Sequence, residues 1–189
     1  MLSPEGIIAD SAQENPVDIA NGTEQFQTSH SGVKSMSNAL NEFLATATQK
    51  AADDLLAAYM RLPEDKRGWS PDAKARPAVD LVAECALING YTADFIQTRQ
   101  WSNINMAQFE SDKTALAALD SEALGARLQE NTARVIEAIR AVPEGDFNTQ
   151  LTMPWGSRPL DDIMAYCYWN MTYHLGQINY IASILGCLE

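Results

Sequence analysis

Apolar residues recur along this chain at three- and four-residue steps, the signature of helices with one buried face. Leu40, Leu44, Ala47, Ala51, Leu55, Ala58 and Leu62 form the first such stripe, with Ser35 or Ser37 placed to cap its start and Pro63 to end it. A second helix is predicted from Pro77 to about Thr98, with Gly90 inside it. An interior glycine costs roughly 1 kcal/mol relative to alanine, so a packing reason is expected there. A third helix spans about Ser121 to Val142, with Leu124, Leu128, Val135 and Ile139 as its stripe and Pro143 and Gly145 at its end. The fourth begins near Pro159 and runs to Leu185, with Asp161 and Asp162 set against the helix dipole and Gly186 suited to close it. Between the second and third helices, residues 99 to 120 read as a connection with a short helix at Asp112 to Leu119. The stretch DFNTQLTMPWGSRP, carrying Trp155 and Gly156, reads as a loop. With no β-alternating segment in view, the expected architecture is all-α, an antiparallel four-helix bundle.

Residues 1–32 show no sustained period and are rich in Ser, Gln, Asn and Gly, so they are expected to form a loosely ordered arm ahead of a bundle domain over 33–189. Ile7, Ile8, Val17 and Ile19 within it form an apolar set that could dock on the body.

Composition narrows the function classes. Thirteen basic residues face 25 acidic ones, for a formal charge of −12. Phosphate backbones and anionic lipid are bound by clustered Lys and Arg, so neither nucleic acid nor membrane is an expected partner. Three cysteines, Cys85, Cys167 and Cys187, show no CxxC pairing, and the N-terminus lacks a signal-peptide pattern. Both features point to a reducing, cytoplasmic setting. No glycine-rich phosphate loop, GxSxG elbow or HExxH motif occurs.

Two polar residues interrupt the apolar faces. Glu84 shares its helical face with Leu81, Ile88, Tyr91 and Phe95, and His174 falls among Cys167, Ile178 and Ile181. A carboxylate in an apolar stripe must be protonated, paired, metal-bound or wet, because an unpaired buried charge is very costly. Asn170 lies one turn before His174 and Gln177 three residues after it. If the two helices face one another, Glu84 meets His174 and Asn170 across the bundle. Two readings stand side by side. One is a structural hydrogen-bonded network, and the other a ligand or metal pocket with Cys167 and Tyr91 at its edge. Trp69, Trp101, Trp155 and Trp169 read as seals at the bundle ends, and His30 as a solvated arm residue.

Three stretches, AYMRLPEDKRGWSP, RPAVDLVAECALINGY and WNMTYHLGQINYIASILG, resemble the DinB-like superfamily of four-helix bundles in their order and spacing. With the third helix, the similarity covers about residues 36 to 187. The resemblance implies a divalent-metal site, with Zn, Ni, Fe or Mn as the ion, built from one histidine on the second helix and an HxxxH pair on the last. Carried over position by position, those ligands fall on Glu84, Asn170 and His174, so only one of three histidines is kept. Gln177 then stands behind the ligands. The implied activity is that of a metal-dependent hydrolase or thiol S-transferase on a small-molecule ligand, and the fold implies a homodimer. The alternative is a non-catalytic bundle with a lost metal site, acting as a ligand-binding or stress-related interaction protein.

Overall fold

The computed structural model describes residues 31–102 and 105–188. Helix α1 runs over Ser31–Arg61, α2 over Ala78–Thr98, α3 over Met106–Ala117, α4 over Ser121–Arg140 and α5 over Leu160–Leu185. The arm expected over residues 1–32, with its apolar set and His30, lies outside the described residues except for Ser31 and Gly32. Those two open α1, so Ser35 and Ser37, expected at its start, fall within the helix.

Side chains from neighbouring segments close the helix ends. Asn105 accepts from the Gln108 amide to start α3, and Asp120 accepts from the Ala123 amide to start α4. Arg67 donates to the carbonyls of Leu62 and Met60 at the end of α1, while its guanidinium lies 5.1 Å from the centre of the Tyr59 ring. Asn41, buried on α1, donates to both Ile139 and Val142 carbonyls at 2.9 Å, answering the open end of α4. Gly186 closes α5 in the left-handed region at φ 69°, as its position after the last apolar residue predicts.

The all-α four-helix bundle matches the pattern of apolar stripes. Its core is drawn from all four long helices, with Leu55, Leu81, Leu128, Met164 and Ile178 almost wholly withdrawn from solvent. Helix directions add what the pattern does not carry. The pairs Ala86–Asn131, Asn89–Thr132 and Asp94–Arg134 advance together, so α2 and α4 run the same way. Asn41 meets the end of α4 and Tyr59 meets Ser121 at its start, so α1 runs against α4. The crossover through α3 returns the chain to the end it left before α4 begins. It explains how consecutive long helices can be parallel. Helix α3 starts six residues earlier than expected and lies on α2.

The segment read as a loop is a hairpin. Strand β1, Gln150–Met153, pairs antiparallel with β2, Gly156–Pro159, in the register Leu151 to Arg158 and Thr152 to Ser157. Leu151 and Met153 point into the core and their neighbours out, an alternation too short to stand out beside Pro154 and Gly156. Gly156 takes φ 133°, a conformation reserved for glycine.

The expected packing reason for Gly90 is Asn131. A Cβ at Gly90 would fall 3.0 Å from Asn131 Nδ2, the atom that donates to the Ala86 carbonyl at 2.8 Å. Gly90→Ala should therefore forfeit the gain of about 1 kcal/mol that alanine brings to a helix interior and destabilise the fold instead. Chemical denaturation of the variant checks the sign; a rise in stability would show that Asn131 gives way without cost.

Candidate functional site

Helices α2 and α5 run side by side, and their two interrupted stripes meet. Glu84 Oε1 lies 3.0 Å from His174 Nε2, and His174 Nδ1 lies 2.6 Å from Gln177 Oε1. The other carboxylate oxygen, Glu84 Oε2, is 2.6 Å from Arg76 Nη1. Arg76 also grips Asp80 through Nε and donates through Nη2 to the Asp80 carbonyl. Lys113, reaching in from α3, lies 3.3 Å from Asp80 and 2.8 Å from Glu110. The result is a continuous polar network from Lys113 to Gln177, charged through Asp80, Arg76 and Glu84, half-buried at Arg76 and closed at His174, which is 4% exposed.

Burial alone would raise the Glu84 pKa. The His174 hydrogen bond and the Arg76 charge outweigh it, and the net shift is downward, so the carboxylate stays ionised. Against that ionised carboxylate, His174 Nε2 carries a proton and donates. Tyr166, on the outward side of the cluster, has its hydroxyl pKa raised by burial and then by the Glu84 charge.

The remaining site candidates separate. Asn170 is buried with its amide Nδ2 directed at Cys85 Sγ, 3.6 Å away, one turn before His174 on α5. Cys167 is fully buried with its thiol pushed up to about 12, chiefly by burial, so it stays protonated and offers no thiolate. Tyr91 turns to α3, donating to Asp112 Oδ2 at 2.8 Å. Its hydroxyl is pushed up to about 12 by burial and that contact. Trp155 rests edge-on against Trp101, which meets Phe95 edge-on, an aromatic stack that covers one end of the bundle. Trp169 does not seal an end: it is 56% exposed on the outer side of α5.

Arg76, Asp80 and Lys113 were not among the expected site residues. Arg76 falls in a polar run that reads as a connection, yet it stands two residues ahead of α2, four before Asp80 and eight before Glu84, and its side chain reaches both carboxylates.

These residues do not fit a divalent metal. Both Glu84 oxygens are committed, one of them to a guanidinium whose positive charge would oppose a second cation within a few ångströms. Both His174 ring nitrogens lie within hydrogen-bond distance of a neighbouring side chain, Nε2 of Glu84 and Nδ1 of Gln177, so an ion would have to displace one of those contacts. Asn170 brings a neutral amide pointed at Cys85. Among the described residues, no three His, Cys, Asp or Glu side chains converge as a metal-holding group. No described helix is long and apolar enough to cross a membrane.

Among solved structures, the chain is similar to a mycothiol-dependent maleylpyruvate isomerase, with a TM-score of 0.59 at 12% identity over 73% of this chain and 60% of that one. A point variant of such an isomerase gives a TM-score of 0.60 at 13% identity, again over 73% of this chain and 60% of the other. At this identity the likeness is one of fold, and the chain spans less than two thirds of the isomerase's length. No curated protein sequence matches it. The family model of the DinB superfamily matches residues 47–178, more than two thirds of the chain, reaching from the second half of α1 through α2 and α4 into α5, and the chain belongs to that superfamily.

Proposed function

We propose that this chain is a non-catalytic member of the DinB superfamily, in which an organic cation stands in for a divalent metal, and that it acts in the cytoplasm by binding a small ligand or another protein. One observation carries the reading: Glu84 is clamped between Arg76 at 2.6 Å and His174 at 3.0 Å, so the position that a metal would draw on is already neutralised from within the chain. The three cysteines are free thiols in the fold, which suits a reducing compartment. The network instead serves the packing of α2 against α5, fixing their register with charges that a slipped pairing would leave alone.

Elemental analysis of protein purified without an affinity tag or chelator tests this. The expected result is metal far below one equivalent, before and after incubation with zinc, nickel, iron or manganese. Near-stoichiometric metal that disappears in a Glu84→Ala/His174→Ala variant would overturn the proposal in favour of a metal-dependent hydrolase or thiol S-transferase.

A further inference from the structure

From Ile163 to Leu185, α5 carries no Lys, Arg, Asp or Glu, in a chain whose net charge is −12. Its inward side is spent on the core, yet its outward side presents rings where a surface helix normally places charges. Tyr168, Trp169, Thr172 and Tyr173 stand at i, i+1, i+4 and i+5, so they form two neighbouring ridges of one helix. These four side chains line a concavity of about 220 Å³ on the surface of α5.

Three of its walls are aromatic, and they brace one another. Trp169 stacks on Tyr173 at 5.7 Å with 15° between their planes, and Tyr166 stands on its other side at 5.8 Å. The Tyr173 ring also meets the His174 imidazole edge-on at 5.3 Å, which ties the cage to the Glu84 pair. Tyr168 is half-buried against the core. Thr172 donates its hydroxyl proton to the Tyr168 carbonyl at 2.9 Å, so that donor is spent within the helix. Walls held in place before a ligand arrives lose little side-chain freedom when it binds.

We propose that this concavity binds a small organic cation with a methylated ammonium head, seated against the rings of Tyr168, Trp169 and Tyr173. The assignment names a ligand class for the binding role proposed above and rests on that reading. Charge complementarity chooses the occupant. Aromatic faces carry the negative end of the ring quadrupole, so they attract cations and turn anions away. A body at −12 draws cations toward it and repels anions with the same sign. No cation of this chain takes the place: this stretch of α5 has no Lys or Arg, and among the described residues the one guanidinium seated on a ring is Arg67, over Tyr59. The lining holds no carboxylate to accept the three N–H groups of a primary ammonium, and a quaternary head has none to satisfy. A bare divalent ion is poorly served by ring faces, since it seeks oxygen, nitrogen or sulfur lone pairs. The volume lies below the ~300–1,000 Å³ of pockets for drug-sized ligands and suits a compact head group.

The test is a nuclear magnetic resonance titration of the full chain with choline. The controls are sodium chloride and the neutral isostere of choline, in which a carbon replaces the nitrogen. The indole N–H signal of Trp169, identified by its loss in Trp169→Leu, should move saturably with choline, at a dissociation constant on the order of 1 mM or below. It should stay in place with either control. Tyr173→Leu keeps apolar bulk at an exposed position and removes one ring, so it should weaken choline binding about fivefold or more with an unchanged circular dichroism spectrum. The absence of a saturable shift overturns the proposal. Equal movement with the isostere overturns it too, because the cage would then read shape and not charge. Choline binding undiminished in Tyr173→Leu does the same, since the acidic surface alone would be holding the ligand. Metal content is read separately by elemental analysis. A metal-free chain that ignores choline fails this proposal alone, and a metal-bearing chain that binds it fails only the earlier one.

Discussion

Replacing Arg76 with alanine and both Glu84 and Asn170 with histidine should raise the affinity of this chain for zinc by about a hundredfold or more over the unmodified protein. The three changes address three separate obstacles. Arg76→Ala removes a fixed positive charge 2.6 Å from the carboxylate position. Glu84→His exchanges a paired oxygen for an imidazole and releases His174 Nε2 from the hydrogen bond that occupies it. Asn170→His adds a second imidazole one helical turn before His174, where the present amide turns to Cys85. Titration calorimetry reads the gain, with circular dichroism to establish that the variant is folded. If the two histidine substitutions achieve as much with Arg76 retained, the guanidinium is not what excludes the metal. If the triple variant binds no better than the unmodified chain, the helix positions inferred from resemblance are wrong.

Glu84→Ala should cost about 2 kcal/mol at neutral pH, seen as a fall of about 4–8 °C in the melting midpoint. Losing one partner of a fully buried pair costs about 3–5 kcal/mol, and the figure is discounted here because water reaches Arg76. The cost arises from what is left behind: Arg76 loses one of its two carboxylates, and His174 loses the acceptor that orients it. The pH dependence follows from the lowered Glu84 pKa. A carboxyl whose folded pKa lies below its unfolded value adds stability above the unfolded value, and that stability is lost as pH falls through the folded one. The unmodified chain should thus lose its advantage over Glu84→Gln as the pH drops below about 4.5, the ordinary value for this group. Parallel melting curves from pH 7 to pH 3, with a constant gap between the two proteins, would contradict that account.

What could be read from the residues was mostly periodic. Leu44, Leu55, Leu128 and Ile178 repeat on faces that the fold buries, and Gly186 ends α5 as glycine does at a helix terminus. Glu84 and His174 stood out because each is polar in an apolar row, and the carboxylate and the imidazole meet. The misplaced parts have a common cause: contacts between distant segments decide them. Arg76 looks like linker until Asp80 and Glu84 are seen one and two turns further on. Asn170 shares a face with His174, yet the near neighbour that fixes its amide is Cys85 on α2. The hairpin escaped because two four-residue strands hold too few positions for alternation to show. The outer row of α5 was hidden by its own apolarity, since a helix apolar on both sides has no contrast by which to tell core from surface.

Helix α3 has a consequence for how the molecule breathes. Lys113 is its one buried residue among those described; Leu116 and Ala117 are only partly buried against the core, and Phe109 meets the Tyr91 ring at 6.4 Å, so much of its hold on α2 rests on Lys113 to Asp80 and on Tyr91 to Asp112. Electrostatic ties weaken as salt shortens the Debye length, from about 10 Å at 0.1 M to about 3 Å at 1 M, whereas apolar burial does not. Amide protons of α3 should accordingly exchange with solvent deuterium well before those of the four long helices, in a local opening distinct from global unfolding, and more so at high salt. Each such opening withdraws Lys113 from Asp80 and wets the α2 side of the Arg76–Glu84 pair, so the ionic strength of the surroundings sets how often water visits the interior of the bundle.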